Sequence, residues 1–360
     1  MKKRIGSLLL ILALCMTLLP TAALAEGETI KEVNSAPELK NAIETGSNSI
    51  VKLTADIEIS TTLTVSRAVT LDLNGNVLKR TDTGRVIEVQ DNGNLTLTDS
   101  TPSATHSFKV DESTKLWILD KTNGTNTVNG GVITGGNANA NNNDGGGVRI
   151  VSGTFTMTGG NIVGCTAGSG GGVDVSGTFT MTGGSIAGCV AAHASGGGVY
   201  VETGGAFEMS GGSIAGCVAA NGSGGGICNA GTTTLSGSAK IQNCHVQSTV
   251  HGGGIESAGV LTVNGNVEIT GCKRGTTPDA MYFDNGTVSG GRFDGEVTKW
   301  GGIISGGTFD NRVRNKGGTI SDGTFNSKVN NEGNIENGTF SGTVENAAKG
   351  KITDGTFTET

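Results

Sequence analysis

Cys165, Cys189, Cys217, Cys244 and Cys272 recur at a near-constant interval. One cysteine per interval predicts a column of side chains on successive turns of a repeating fold. Two chemistries suit such a column. Free thiols pack as small hydrophobes and would fill an interior corner. Neighbouring cysteines with Cα atoms about 5 Å apart are also within reach of a disulfide. Five members cannot all pair among themselves, and Cys228 falls in a different column. Zinc suits the pattern poorly, because ligands in a line make no tetrahedron. The four histidines, His106, His193, His245 and His251, are scattered without partner spacing.

A second set of residues follows each GGG triplet. The next strand reads V-R-I, V-D-V, V-Y-V, I-C-N or I-E-S, and its middle residue is expected to face outward: Arg149, Asp174, Tyr200, Cys228 and Glu256. Arg149 and Asp174 would be cross-strand neighbours of opposite charge. Together with Tyr200 as a stacking platform and Glu256, they make a candidate ligand face, or else an ordinary solvated strand. Outward threonine pairs, Thr154/Thr156, Thr178/Thr180 and Thr232/Thr234, hint at an ice-binding face, but Ala206 and Glu208 interrupt the run.

Glycan-cleaving chemistry needs two carboxylates about 5–10 Å apart, or acids around a cation. The acids along the regular repeats, Asp174, Glu202, Glu208, Glu256 and Glu268, occupy different strand positions and are not expected to meet in one cleft. The remaining candidate is a rim site made from Trp117 and Asp120 in KLWILD and Asp144 in NNNDGGG. No catalytic, cofactor or metal constellation is expected on this reading, and an enzyme is the less favoured class.

The elements that would position these residues are repeats. GGG triplets begin at 145, 170, 196, 224 and 252, which are 25, 26, 28 and 28 residues apart. Phe155, Phe179, Phe207 and Leu261 correspond within the units. So do Met157, Met181, Met209, Leu235 and Val263, and again Ile162, Ile186, Ile214, Ile241 and Ile269. Alternation such as F-x-M is the two-residue period of a strand with one buried face. No single unit can bury its own face, so units must stack. A coil of three short strands suits the period. From Val288 onward a tighter array takes over, with Phe293, Phe309, Phe325, Phe340 and Phe357 spaced 16, 16, 15 and 17, and Val297, Val313, Val329 and Val344 alongside. The coil is therefore expected to narrow near 273–287, where Pro278 sits.

Toward the amino terminus, Ser35-Ala36-Pro37-Glu38 reads as a capping box, with Leu39, Ala42 and Ile43 as the apolar stripe of a short helix that Gly46 stops. Strand-like runs at 49–53, 57–59, 63–65, 69–73, 86–89 and 95–98 predict irregular first coils, covered by that helix. Residues 101–127 fit the pattern worst and predict either a loop excursion or one long coil. The first 25 residues read as a secretory signal: Lys2, Lys3 and Arg4, an apolar run to Leu19, and small residues at Ala23 and Ala25. Its removal subtracts three positive charges and no acid, taking the net charge from −7 to −10. So acidic a chain disfavours nucleic acid as a partner. Composition excludes collagen as well, since 63 glycines accompany only 4 prolines and no triplet period.

The GGGV and GGGI motifs, paired with IxxC as in Ile162-Val163-Gly164-Cys165, resemble the repeats of polymorphic outer-membrane proteins, which pair GGAI with FxxN. The run VTLDLNGNVL (69–78) is similar to openings of secreted β-helix proteins of Gram-positive gut bacteria. The likeness covers about residues 50–275 and implies a surface-displayed solenoid. That family's carboxyl-terminal barrel and any sortase motif have no counterpart here, and the last repeat stops at Thr360 as if the chain were part of a longer protein. The expectation is an all-β, right-handed parallel β-helix: signal 1–25, cap and first coils 26–128, regular repeats 129–273, and a shorter-period solenoid 274–360. Its expected role is a non-catalytic secreted or cell-surface protein, an adhesin or carbohydrate-contacting scaffold. The expected partners are host or environmental glycans or surface proteins, with no cofactor and no membrane span expected after signal cleavage. A polysaccharide lyase or glycoside hydrolase is the alternative.

Overall fold

The computed structural model describes residues 29–139 and 144–358. The segment expected to be a signal, residues 1–25 with Cys15, and Asn141 to Asn143 of the NNND run lie outside the described residues. The chain is a parallel β-solenoid: nearly all its strands join one long sheet, and each strand pairs with its counterpart one coil away. Phe155 pairs with Phe179 and Phe179 with Phe207, and the same ladder begins at Val69 and Leu95. Ring centroids in this stack are 4.9 and 4.7 Å apart, which is the strand spacing itself. One apolar core runs from Val33 to Phe340.

The wide coils that begin at 145, 170, 196 and 224 each hold four strands rather than three: Val148–Ile150, Thr154–Met157, Asn161–Val163 and the two-residue Thr166–Ala167 in the first regular unit. The short fourth strand follows the cysteine corner. All six described cysteines are buried free thiols, and none is bridged. Each thiol in the column from Cys189 onward faces the carbonyl two residues before it, as Cys189 Sγ does that of Ala187 at 3.4 Å.

The GGG triplet that follows needs all three glycines, each for its own reason. The first takes a left-handed backbone, φ +73° at Gly196. A Cβ on the second would lie 2.4 Å from the Gly225 carbonyl oxygen of the next coil, and on the third 2.7 Å from Ile214 Cγ2.

The narrow coils keep three of the wide coil's columns. Val263 pairs with Val288 and then Ile304; Ile269 pairs with Phe293 and then Phe309; Ile255 pairs with Met281, then Val297. What disappears is the detour through the cysteine corner and the GGG turn. The chain makes its last detour at Lys273–Arg274, which pairs antiparallel with Thr277 and Pro278, the first two residues of the 17-residue strand Thr277–Phe293. Inside the narrow coils, Lys299 Nζ donates to Asn315 Oδ1 at 3.0 Å, and Asn315, Asn331 and Asn346 pass amide hydrogen bonds down the stack.

The helix Ala36–Glu44 lies over the first coil with Leu39, Ala42 and Ile43 buried. The expected capping box is only half made. Ser35 makes no side-chain cap, and Glu38 accepts instead from the backbone N–H of Asn34. Glu44 accepts from the open-edge N–H of Thr64, while the Arg67 guanidinium donates to the helix-end carbonyls of Ala42 and Ile43. Both contacts cap backbone groups that the end of a sheet and the end of a helix leave bare.

Residues 105–129 form an excursion, not a coil. Thr105–Val110, Trp117–Leu119 and Asn126–Asn129 make a small antiparallel sheet that lies against the solenoid's flank. It buries Phe108 with Val77, Val132, Val163 and Ala187. Trp117 lies across Gly188 and Gly216, and its backbone N–H donates to Gly188 O at 3.1 Å. A Cβ on Gly188 would sit 1.9 Å from Trp117 Cγ, so the stacked glycines are the floor on which the indole rests. No described helix is long and apolar enough to cross a membrane.

Candidate functional site

Strand pairing brings all four residues of the expected ligand face into one ladder: Glu88, Arg149, Asp174, Tyr200, Cys228, Glu256, Tyr282, Thr298 and Arg314 stand in register on successive coils. They do point away from the core, but the expectation that all are exposed fails. Asp174 is 0% accessible and Cys228 is buried, while Arg149, Tyr200 and Glu256 are half-buried. Around Asp174, the side chains of Asp144 and Glu202 from the flanking turns come close. Cys228, outside the cysteine column, is a free thiol whose S–H donates to Glu256 Oε2 at 3.0 Å. Burial raises the Glu256 carboxyl while that thiol pulls the other way.

The expected separation of the acids also fails. Asp174 sits mid-strand, Glu202 just past the end of the equivalent strand one coil on, and Asp144 in the turn ahead of Arg149; among the described residues these are the one acidic trio close enough to share a cation. Sequence offsets differ, yet a turn before one strand and a turn after the next flank the same spot. Their facing oxygens lie within 4.8 Å of one another. Asp144 Oδ1 accepts from Ser169 N–H at 3.0 Å. Neither Asp174 oxygen has a hydrogen-bond partner. Arg149 Nε is 3.6 Å from Asp174 Oδ1, close enough to feel its charge but too far to hydrogen-bond. Burial above all, then Glu202 and Asp144, push the Asp174 carboxyl up to about 8 against the pull of Arg149.

The expected rim site does not assemble. Trp117 is committed to the glycine floor. Asp120 Oδ1 accepts from the N–H groups of Thr122 and Asn123 and shapes a turn, which holds its carboxyl below the usual range. Asp144 belongs instead to the trio. The threonine pairs face outward as expected, and Ala206 and Glu208 stand in register with Thr178 and Thr180.

Besides the acidic trio, three features escaped the sequence reading. At the narrowing, His251 stacks on Tyr282 at 4.9 Å, and Arg274 reaches both His251 Nδ1 and Asp279. Glu296, in register with Asp279, is held by Arg312 and Arg314. Trp300 lies close by in sequence and is 55% exposed. The third feature is a groove of about 650 Å³ along the narrow coils, lined by glycines and by Glu268, Arg292, Thr308, Asp322, Thr324 and Thr339. It arises because the ladder slips at each Ser-Gly-Gly or Ser-Asp-Gly, between Val288 and Arg292 and again between Ile304 and Thr308. Stacked bulges of this kind leave a channel along the axis. The periodic SGG and SDG triplets were the available signal.

No protein family, curated protein or solved structure matches the chain.

Proposed function

We propose that this is an exported, non-catalytic solenoid that contacts carbohydrate chains at a cell surface or in the extracellular medium. The observation that carries the reading is the glycine-floored groove, whose walls offer Arg292, Asp322, Glu268 and a line of threonines. Sites for drug-like ligands are closed and apolar; an open, polar channel spanning several coils suits an extended, hydroxyl-rich chain. The exposed Trp300 adds a flat surface of the kind on which sugar rings stack. The leader-like residues 2–25 support export, and the likeness of the GGGV and IxxC repeats to polymorphic outer-membrane proteins supports an adhesin's role. The enzyme alternative gains nothing from Trp117 and Asp120, which serve structure.

A glycan array probed with the purified protein, with reducing-end release followed in parallel, tests the reading. Retention of one glycan class without cleavage is expected, and the paired change Arg292→Ala and Asp322→Ala should abolish it. Turnover of a polysaccharide, or binding indifferent to that pair, would sink the proposal.

A further inference from the structure

We propose that Asp144, Asp174 and Glu202 form a calcium site between consecutive coils. The argument begins with Asp174. It is 0% accessible, neither of its oxygens accepts a hydrogen bond, and it points at two further carboxylates. A buried carboxylate without donors is costly to keep, and placing two acids beside it raises that cost. Arg149 supplies one positive charge from 3.6 Å, so three carboxylates and one guanidinium leave two negative charges unbalanced. A proton shared between Asp174 and Glu202 would neutralise only one of them; a divalent cation neutralises both. The donors are all hard oxygens, which exclude soft metals and favour calcium or magnesium. Oxygens up to 4.8 Å apart match the span across a calcium ion, whose ligands sit at about 2.3–2.6 Å. Magnesium demands a tighter octahedron, near 2.1 Å. Three side-chain carboxylates with water completing the shell resemble the low-affinity extracellular class, with Kd of about 0.1–1 mM.

The site would tie three successive coils through Asp144, Asp174 and Glu202, and so clamp the stack. It does not rest on the glycan reading, since none of its residues lines the groove.

The test uses protein dialysed against chelator and titrated with calcium chloride to about 10 mM, well above that Kd range. One binding event by calorimetry is expected, with an unfolding temperature that climbs with calcium concentration by mass action. Asp174→Asn and Glu202→Gln should each lose the response, while Asp120→Asn keeps it. Terbium offers a second readout that reports position. Tyr200 pairs with Asp174, so tyrosine excitation should light a bound terbium ion, and Tyr200→Phe should dim that emission while leaving the calcium-induced thermal shift intact. Absence of any calcium effect on the unsubstituted protein would overturn the proposal, as would calcium binding that survives Asp174→Asn or a magnesium response of equal size. If a variant fails to fold, the comparison of unsubstituted protein with and without calcium still decides.

Discussion

Single side chains carry most of the tension in this fold. The aromatic column Phe155, Phe179, Phe207 is continued by Thr233, which is fully buried with its hydroxyl unpaired, before Leu261 restores an apolar residue. Thr233→Val keeps the shape and removes the stranded hydroxyl. It should raise stability by about 1 kcal/mol, read as a higher urea midpoint at unchanged slope. Lys299 is the opposite case, a buried ammonium with good acceptors, whose burial lowers it from its ordinary 10.5 to about 8. Between those values the unfolded chain holds a proton that the folded chain has released, so folding stability should rise with pH from about 8 to 10.5. Lys299→Met should flatten that rise in denaturation series measured across the window, and a slope unchanged by the substitution would count against the assignment.

At the scale of elements, the antiparallel excursion is the part of the fold with a stability of its own. Its anchor is the Trp117 indole on the Gly188 floor, and its private core is small. Trp117→Ala should loosen residues 105–129 by about 2–3 kcal/mol while the solenoid stays folded. Hydrogen exchange would show faster amides confined to that segment, whereas global unfolding would contradict the anchoring role. This element also marks where the sequence stopped being legible. Columns such as Phe155/Phe179/Phe207 announce themselves because identical side chains recur at the coil period, and the fold follows from that recurrence. The excursion occurs once, so no period exposes it. The acidic trio was missed for a related reason: Asp144, Asp174 and Glu202 share no repeat position, and only the path of the turns brings them together. Exposure of Asp174 was misjudged because alternation tells inward from outward but not whether neighbouring turns close over the outward face.

For the whole molecule, stability is a sum of coils and of contacts between neighbouring coils. Excision of residues 224–251, one complete 28-residue unit ending where the next GGG begins, joins Ser223 to Gly252 with every column in step. The shortened protein should fold cooperatively, with its long axis reduced by about 4.8 Å in small-angle scattering. Loss of folded structure would mean that the coils are not interchangeable. The unbroken passage of three columns from wide to narrow coils has a mechanical corollary. Backbone hydrogen bonds between coils run along the long axis, so tension applied end to end loads one rung at a time, and the chain should peel rather than shear. Each wide coil of 25–28 residues pays out about 90–100 Å of slack and each narrow one of 15–17 about 50–60 Å. A single tether pulled in an optical trap would thus write the two coil sizes as two distinct step lengths.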